Sequence, residues 1–399
     1  MRLKPGSAVL TVVLALLTSI GPLSTDMYLA SLPAIGRHFA TDAGQVQLTL
    51  SLFLAGFAVG QIVYGPISDR LGRRPVLFGG LALFVLASIG CGLSLSIGML
   101  IGARFLQALG ACAAVVLARA IVRDLYSGED AARILSFMGA LMGLVPAVAP
   151  ILGGFLQTAF DWHASFAVTA GIGILLLIGC YLALPETLDP ARRAQAASIR
   201  GMPGDFYTIA RHRLFRRYTA AVCLGYGGLF AFISGSSFVL QGYYGLNEVQ
   251  FGAAFASCVV GYISGTLIGA RVTRRLGIAR TVDAGTMVMA AGGLAMIAAI
   301  QMQPPHILHL LIPMSLYLVG IGMTLPVSMA GAMQPFPERA GTASSLLGFT
   351  QMTFAALVGV AVGHMVETWP TALAWTIGVM GVLNLVLTLL YRGRSGAAT

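Results

Sequence analysis

The absence of charge over long stretches limits this chain more than any other feature. Charge-free runs occupy 5–25, 43–68, 75–103, 134–160, 162–185, 218–247, 249–270, 284–337, 340–366 and 368–391. A helix needs about 20 apolar residues to cross a hydrocarbon layer of about 30 Å. The 284–337 run holds 54 residues and is interrupted by Pro304, Pro305 and His306, so it reads as two spans. A further span fits between Met99 and Ile121, interrupted by Arg104. The total is twelve helices. No period-two alternation is present, which argues against a β-barrel. Only 10% of residues are charged and 57% are hydrophobic, against about 25% charged in a soluble domain. That balance excludes a soluble enzyme, a disordered tail and a disulfide scaffold. The chain reads as an all-α, polytopic membrane protein. Arg2 and Lys4 before the first run also fit a secretory signal peptide. No soluble domain follows, however, and removing the run leaves an odd helix count.

Arg and Lys in short loops set orientation. With the N-terminus in the cytoplasm, Arg2, Lys4, Arg70, Arg73, Arg74, Arg119, Arg123, Arg133, Arg192, Arg193 and Arg200 fall inside. So do Arg211, Arg213, Arg216, Arg217, Arg271, Arg274, Arg275, Arg280, Arg339, Arg392 and Arg394. Only Arg37 falls outside, and Arg104 lies within a helix. Both termini are therefore expected in the cytoplasm. The net charge of +10 is then an orientation signal, and nucleic acid is not expected as a partner.

The chain also has a seam. Residues 1–184 hold six spans, 185–213 form the longest polar stretch, and 214–399 hold six more. Arg70-Leu71-Gly72 follows the second span, and Arg275-Leu276-Gly277 follows the eighth, 205 residues later. Two pseudo-symmetric six-helix bundles around a central path form a transporter architecture, with the substrate site near the midplane between them.

The loop after the second span reads Gly65-Pro66-Ile67-Ser68-Asp69-Arg70-Leu71-Gly72-Arg73-Arg74-Pro75. It resembles the signature loop of the major facilitator superfamily (MFS). In it Gly65 and Gly72 permit close approach and a tight reversal. Asp69 can face the positive N-terminal end of the eleventh span, near Gly341, and Arg73 can reach Asp124. The second-half loop departs from the pattern: Thr273 and Arg274 stand where an acid is expected, so it is assigned no matching gating role. The fourth span carries Arg104-Phe105-Leu106-Gln107-Ala108-Leu109-Gly110, similar to the superfamily's arginine-bearing fourth helix. Gly139, Gly143, Pro146, Pro150, Gly153 and Gly154 in the fifth span resemble the signature of drug/proton antiporters. Such glycines let backbones pack closely, and proline bends a helix where two helices must rock. Ser24-Thr25-Asp26-Met27-Tyr28-Leu29-Ala30-Ser31-Leu32-Pro33 resembles the bicyclomycin/chloramphenicol-resistance (Bcr/CflA) branch. The resemblance covers essentially the whole chain.

The chemistry must come from charge inside the membrane. Asp26 is the one acid placed within a span, and Arg104 sits a few residues into the fourth. A buried charge costs about 2.5–3.5 kcal/mol even on the lenient insertion scale, so such residues face a cavity and pair. Asp26 and Arg104 are either a structural pair or a proton site. Withdrawal from water favours a neutral acid and a nearby guanidinium favours the ionised form, so a rocking motion changes the balance.

Phe57, Tyr226, Phe230, Phe232, Phe349 and Met352 can form an adaptable apolar pocket, though ordinary helix packing explains each of them too. The histidines fall near span ends or in the central loop, and no metal site is expected. Cys91, Cys112, Cys180, Cys223 and Cys258 lie scattered within spans and imply no disulfide. No phosphate-binding glycine loop is present, so ATP is not the expected energy source, and no cofactor is expected. No nucleophile–base pair argues for an enzyme. The resemblance implies a bacterial inner-membrane exporter, expected to be a monomer, that exchanges protons for small amphipathic drugs such as phenicols. The alternative on the same fold is a transporter of a native metabolite, such as a sugar or amino-acid derivative.

Overall fold

The structure, a computed structural model, describes residues 8–189, 193, 201–302, 304–366, 369 and 371–393. Arg2, Lys4, Arg192, Arg200, Arg394 and the rest of the central stretch at 190–192 and 194–200 lie outside the described residues. Among those described there is no strand.

The first half runs α1 (Ala8–Asp26), α2 (Leu32–Phe39), α3 (Ala43–Leu71), α4 (Arg73–Gly92), α5 (Ile97–Leu125), α6 (Gly128–Ala159) and α7 (Trp162–Ala183). A short helix α8 (Met202–Arg211) precedes α9 (Arg213–Ser237), α10 (Glu248–Ala299), α11 (Leu308–Met333), α12 (Ala340–Val366) and α13 (Ala372–Gly393). Eleven stretches are long and apolar enough to cross a membrane, α1 and α2 together making one of them. The 52 residues of α10 would reach about 78 Å at 1.5 Å per residue, far beyond one crossing. At Gly277 (φ 79°, ψ 171°) the helix reverses, so α10 contains two spans. The count of twelve holds.

Polar caps begin several helices where the sequence leaves the apolar runs. Asp42 accepts from the Gln45 N–H at 2.7 Å to start α3, and Ser96 accepts from the Met99 N–H at 3.2 Å to start α5. Asn247 and Gln250 form a reciprocal capping box on α10. Each satisfies backbone donors that have no partner within the helix.

Within the first half α1 packs on α5, α6 and α7, α3 on α5, and α4 on α5 and α7. In the second, α9 packs on α11, α12 and α13, and α10 on α11 and α13. The halves meet along two crossings, α3 with α12 and α6 with α10. At both, glycine permits close contact at the ends away from the arginine-rich loops, with backbone at α6–α10 and with the Gln47 side chain at α3–α12. A Cβ on Gly252 would lie 2.5 Å from the Pro150 carbonyl oxygen, and one on Gly363 2.9 Å from Gln47 Oε1. Along α6, Ser136, Phe137, Gly139 and Ala140 are exposed beside buried Ile134 and Met138, whereas Ala149, Pro150, Gly153 and Gly154 are all buried. At the arginine-poor end the bundles are thus in contact.

Candidate functional site

The first span is broken where its charge sits. α1 ends at Asp26, and the chain passes through Met27 and Tyr28 into a 3-10 turn at Leu29–Ser31 before α2 begins with Pro33 in its first turn. The break leaves the last carbonyls of α1 without all their helical donors, with the negative end of the helix dipole behind them.

Arg104 of α5 uses one of these carbonyls. It is fully buried, and its Nη1 donates to the Ser24 carbonyl at 3.0 Å and to Gln107 Oε1 at 2.6 Å. Gln107 is fixed in turn by donating to Ser88 Oγ at 2.8 Å. The guanidinium lies 4.5 Å from the Tyr28 ring centre and 4.3 Å from that of Phe53, with Phe166 at 5.9 Å. Tyr28 is anchored by a hydrogen bond between its hydroxyl and Thr49 on α3. A dipole end, an amide oxygen and three aromatic faces therefore hold this cation.

The expected ion pair between Asp26 and Arg104 does not form. No hydrogen bond or salt bridge engages the Asp26 carboxyl among the described residues, although it is only 4% exposed. The break frees the Ser24 carbonyl for Arg104, while the carboxyl two residues later lies about 200° round the helix. Its electrostatic neighbour is the Tyr226 hydroxyl on α9, in the other bundle, beside Tyr262 on α10. Asp26 also lies on an element fixed tightly to α6: a Cβ on Gly153 would collide with the Met27 carbonyl.

The structure separates the aromatic candidates. Phe57 approaches α1 near the acid, 3.2 Å from where a Gly21 Cβ would stand. Tyr226 faces Asp26. Phe230 is buried in the α3–α12 seam, in contact with Gly359. Phe232 stacks on Phe255 at 5.2 Å and is core packing between α9 and α10. Met352 packs half-buried against the apolar core, and Phe349 is likewise half-buried on α12.

The signature loop forms a charge cluster. Arg73 bonds Asp124 on α5 through Nε at 2.8 Å, as the sequence suggested, and Asp69 through Nη1 at 2.5 Å. The expectation that Asp69 faces the start of the eleventh span is not met: here the carboxylate pairs with Arg73 one turn on. Gly72 makes the reversal with φ 103°. Gly65 does not serve close approach, since a Cβ there would meet nothing within 4 Å. Arg74 lies over the Phe78 ring at 5.0 Å, and the Arg70 carbonyl accepts from Arg193 at 2.7 Å.

Sequence reasoning missed Glu186. Its carboxylate accepts from the backbone N–H groups of Arg73 at 2.9 Å and Arg74 at 3.1 Å, capping α4. The signal available was an acid directly after the sixth span, in Leu184-Pro185-Glu186. Also missed was Asp283, in the second arm of α10 and 5% exposed, which pairs with Arg217 of α9 at 3.0 Å. Asp26 is thus not the one acid buried within a helix. At the second-half loop Gly277 repeats the left-handed reversal of Gly72. Thr273 there bonds Thr281 at 3.0 Å, so a neutral pair stands near the place of the charged cluster.

The fifth-span glycines divide into two groups. Cβ atoms on Gly139 and Gly143 would meet nothing within 4 Å. Gly153 touches α1, and Gly154 touches Glu248 at the start of α10. Pro146 and Pro150 lie inside α6, where each removes one backbone donor.

Comparison with known proteins agrees with this architecture. The Major Facilitator Superfamily model matches residues 14–360. A bicyclomycin resistance protein homolog of Haemophilus influenzae is 29% identical over 97% of this chain and 96% of its own length. A chloramphenicol resistance protein of Pseudomonas aeruginosa is 31% identical over 91% of this chain and 84% of its own. The crystal structure of a D-xylose–proton symporter superposes with a TM-score of 0.76 at 17% identity, covering 95% of this chain and 96% of that one, a likeness of fold alone.

Proposed function

We propose, from the premise that this chain belongs to the major facilitator superfamily, that it exports small amphipathic drugs in exchange for protons. The observation that carries the reading is Asp26: a carboxylate residue only 4% exposed, without a cation partner among the described residues, between the two bundles. A charge held there costs several kcal/mol, and taking up a proton removes that cost. Protonation and the access of the site to water are then linked, because a motion that wets the carboxyl changes which form is favoured. Arg104 acts as a positioning residue. It holds the break in the first span by its carbonyl and so sets where Asp26 points.

The relatives' names, bicyclomycin and chloramphenicol resistance proteins, support drugs as the cargo. The bacterial sources of those relatives and the placement of the arginines support a bacterial inner membrane with both termini in the cytoplasm. In that orientation the contacts Gly252–Pro150 and Gly363–Gln47 lie at the outer end of the two bundles. The proton gradient supplies the energy, with no cofactor, and a single chain is the working unit.

The test is drug susceptibility of an efflux-deficient host expressing this chain, across a panel that includes phenicols. Raised resistance that is lost on collapsing the proton gradient supports the reading. Unchanged susceptibility with concentrative uptake of a labelled metabolite overturns it.

A further inference from the structure

The structure holds a buried polar file that neither the charge cluster nor the helix break uses. It begins at a cavity of about 690 Å³ on the arginine-poor face, lined among others by Arg37, Asp42, Ala43, Phe238, Tyr243 and Val366. From there α3, α9 and α12 run inward side by side. One turn below the cavity, Gln47 of α3 accepts a hydrogen bond from Ser234 of α9 at 2.6 Å, against Gly363 of α12. A turn further, Ser51 of α3 meets Gly359 of α12 and the ring of Phe230, both 2.7 Å from the position of a Gly359 Cβ. One more turn along α9 is Tyr226, the neighbour of Asp26. Phe238, Ser234, Phe230 and Tyr226 are thus four residues apart on one helix face, about 18 Å from first to last. The first span reaches the same level, where Tyr28 bonds Thr49 between Gln47 and Ser51.

Two polar groups in this file have no protein partner among the described residues: Gln47 Nε2 and Ser51 Oγ. Both residues are essentially without exposure. An unpaired buried polar group costs about 1–3 kcal/mol, and a seam between two bundles could be sealed with apolar side chains instead. Polar groups kept here at that cost fit a file that is wet in another state of the cycle. The charged and titratable groups at its mouth are Arg37, Asp42 and His364, the last beside Gly44. Further in, Tyr28 bonds Thr49, the Arg104 guanidinium on α5 lies over Tyr28 and Phe53, and Tyr226 precedes Asp26.

We infer that this file, from the cavity through Ser234–Gln47 and Ser51 to Tyr226, is the route by which protons from the outer water reach Asp26, with Phe230 as its plug. This rests on the antiport reading. The step balances simply. When the bundles part at this end, water enters the file, a hydronium ion outside gives up one proton, and the Asp26 carboxylate becomes the acid. The same proton leaves to the cytoplasm when the site opens there.

The experiment uses the full chain in proteoliposomes, with chloramphenicol as probe. Accumulation driven by an imposed pH gradient is compared with downhill exchange of the same drug. Gln47→Leu keeps the bulk and removes the polar group, and Gln47→Glu keeps an oxygen in place. The leucine variant should slow proton-driven accumulation by about tenfold, much more than it slows downhill exchange, and the glutamate variant should recover most of the loss. Ser51→Ala should act in the same direction. Equal losses in both modes would mean that Gln47 is only a part of the gate, and the route would be wrong. Accumulation at the wild-type rate by both Gln47→Leu and Ser51→Ala would also overturn it. A wild-type protein indifferent to the pH gradient would instead refute the antiport reading, and this route with it.

Discussion

The fifth-span glycines look alike in sequence, yet the structure assigns them opposite sensitivities. A Cβ on Gly154 would meet the Glu248 carbonyl oxygen across the bundle interface, with its carbon at 2.8 Å and Val249 Cα at 3.1 Å. Ordinary carbon contacts lie at about 3.5–4.0 Å, so α10 must withdraw from α6 by about 1 Å. Overpacking of this kind costs about 1–3 kcal/mol. The cost falls only on the arrangement in which these ends touch. Gly154→Ala should therefore shift the ratio of closed to open outer ends by about 5- to 150-fold. Gly139→Ala meets open space, and alanine is better than glycine in a helix by about 1 kcal/mol, so that variant should be silent or slightly stabilising. Spin labels at Phe160 and Gly245 in lipid would read the separation of these ends. The long-distance population should grow in Gly154→Ala, with falling drug resistance, and stay unchanged in Gly139→Ala. Wild-type distances and resistance in Gly154→Ala, or a shift in Gly139→Ala, would refute the reasoning.

Other variants probe the rest of the site. Arg217→Met alone leaves Asp283 buried without its cation and should lower unfolding stability in detergent by about 3–5 kcal/mol; the double variant with Asp283→Leu should recover much of it. A double variant no more stable than the single would contradict a buried pair. Glu186→Gln weakens the cap of α4 and should cost about 0.5–2 kcal/mol, while Gly72→Ala strains the reversal and crowds the same carboxylate, so it should lose more. The reverse order in thermal unfolding would count against the cap. A reporter active only outside the cytoplasm should be silent after Arg74 and active after Gly245; the opposite pattern would invert the topology.

The spans and their number were legible because all but the arginine-bearing fourth crossing follow runs without charge, and the break in the longest helix was marked by the repeated Arg-Leu-Gly. The Arg73–Asp124 contact was legible for the same reason: few charges, each at a span end. What sequence could not show was direction. Asp26 and Ser24 are two residues apart on α1, about 200° round the helix, and nothing in the sequence says which side meets Arg104. Glu186 caps a helix that begins 113 residues earlier in the chain, and Asp283 finds Arg217 across 66 residues, so no local pattern links them. Gln47 and Ser234 are uncharged and vanish within apolar runs, although together they bridge the two bundles.

The central claim is that Asp26 carries the proton whose movement drives export. It is tested most directly by drug accumulation in proteoliposomes with an imposed pH gradient, comparing wild type with Asp26→Asn. Asparagine keeps the size and cannot exchange a proton. The account predicts that Asp26→Asn abolishes uphill accumulation while downhill drug exchange persists. Uphill accumulation by Asp26→Asn at the wild-type rate would contradict it.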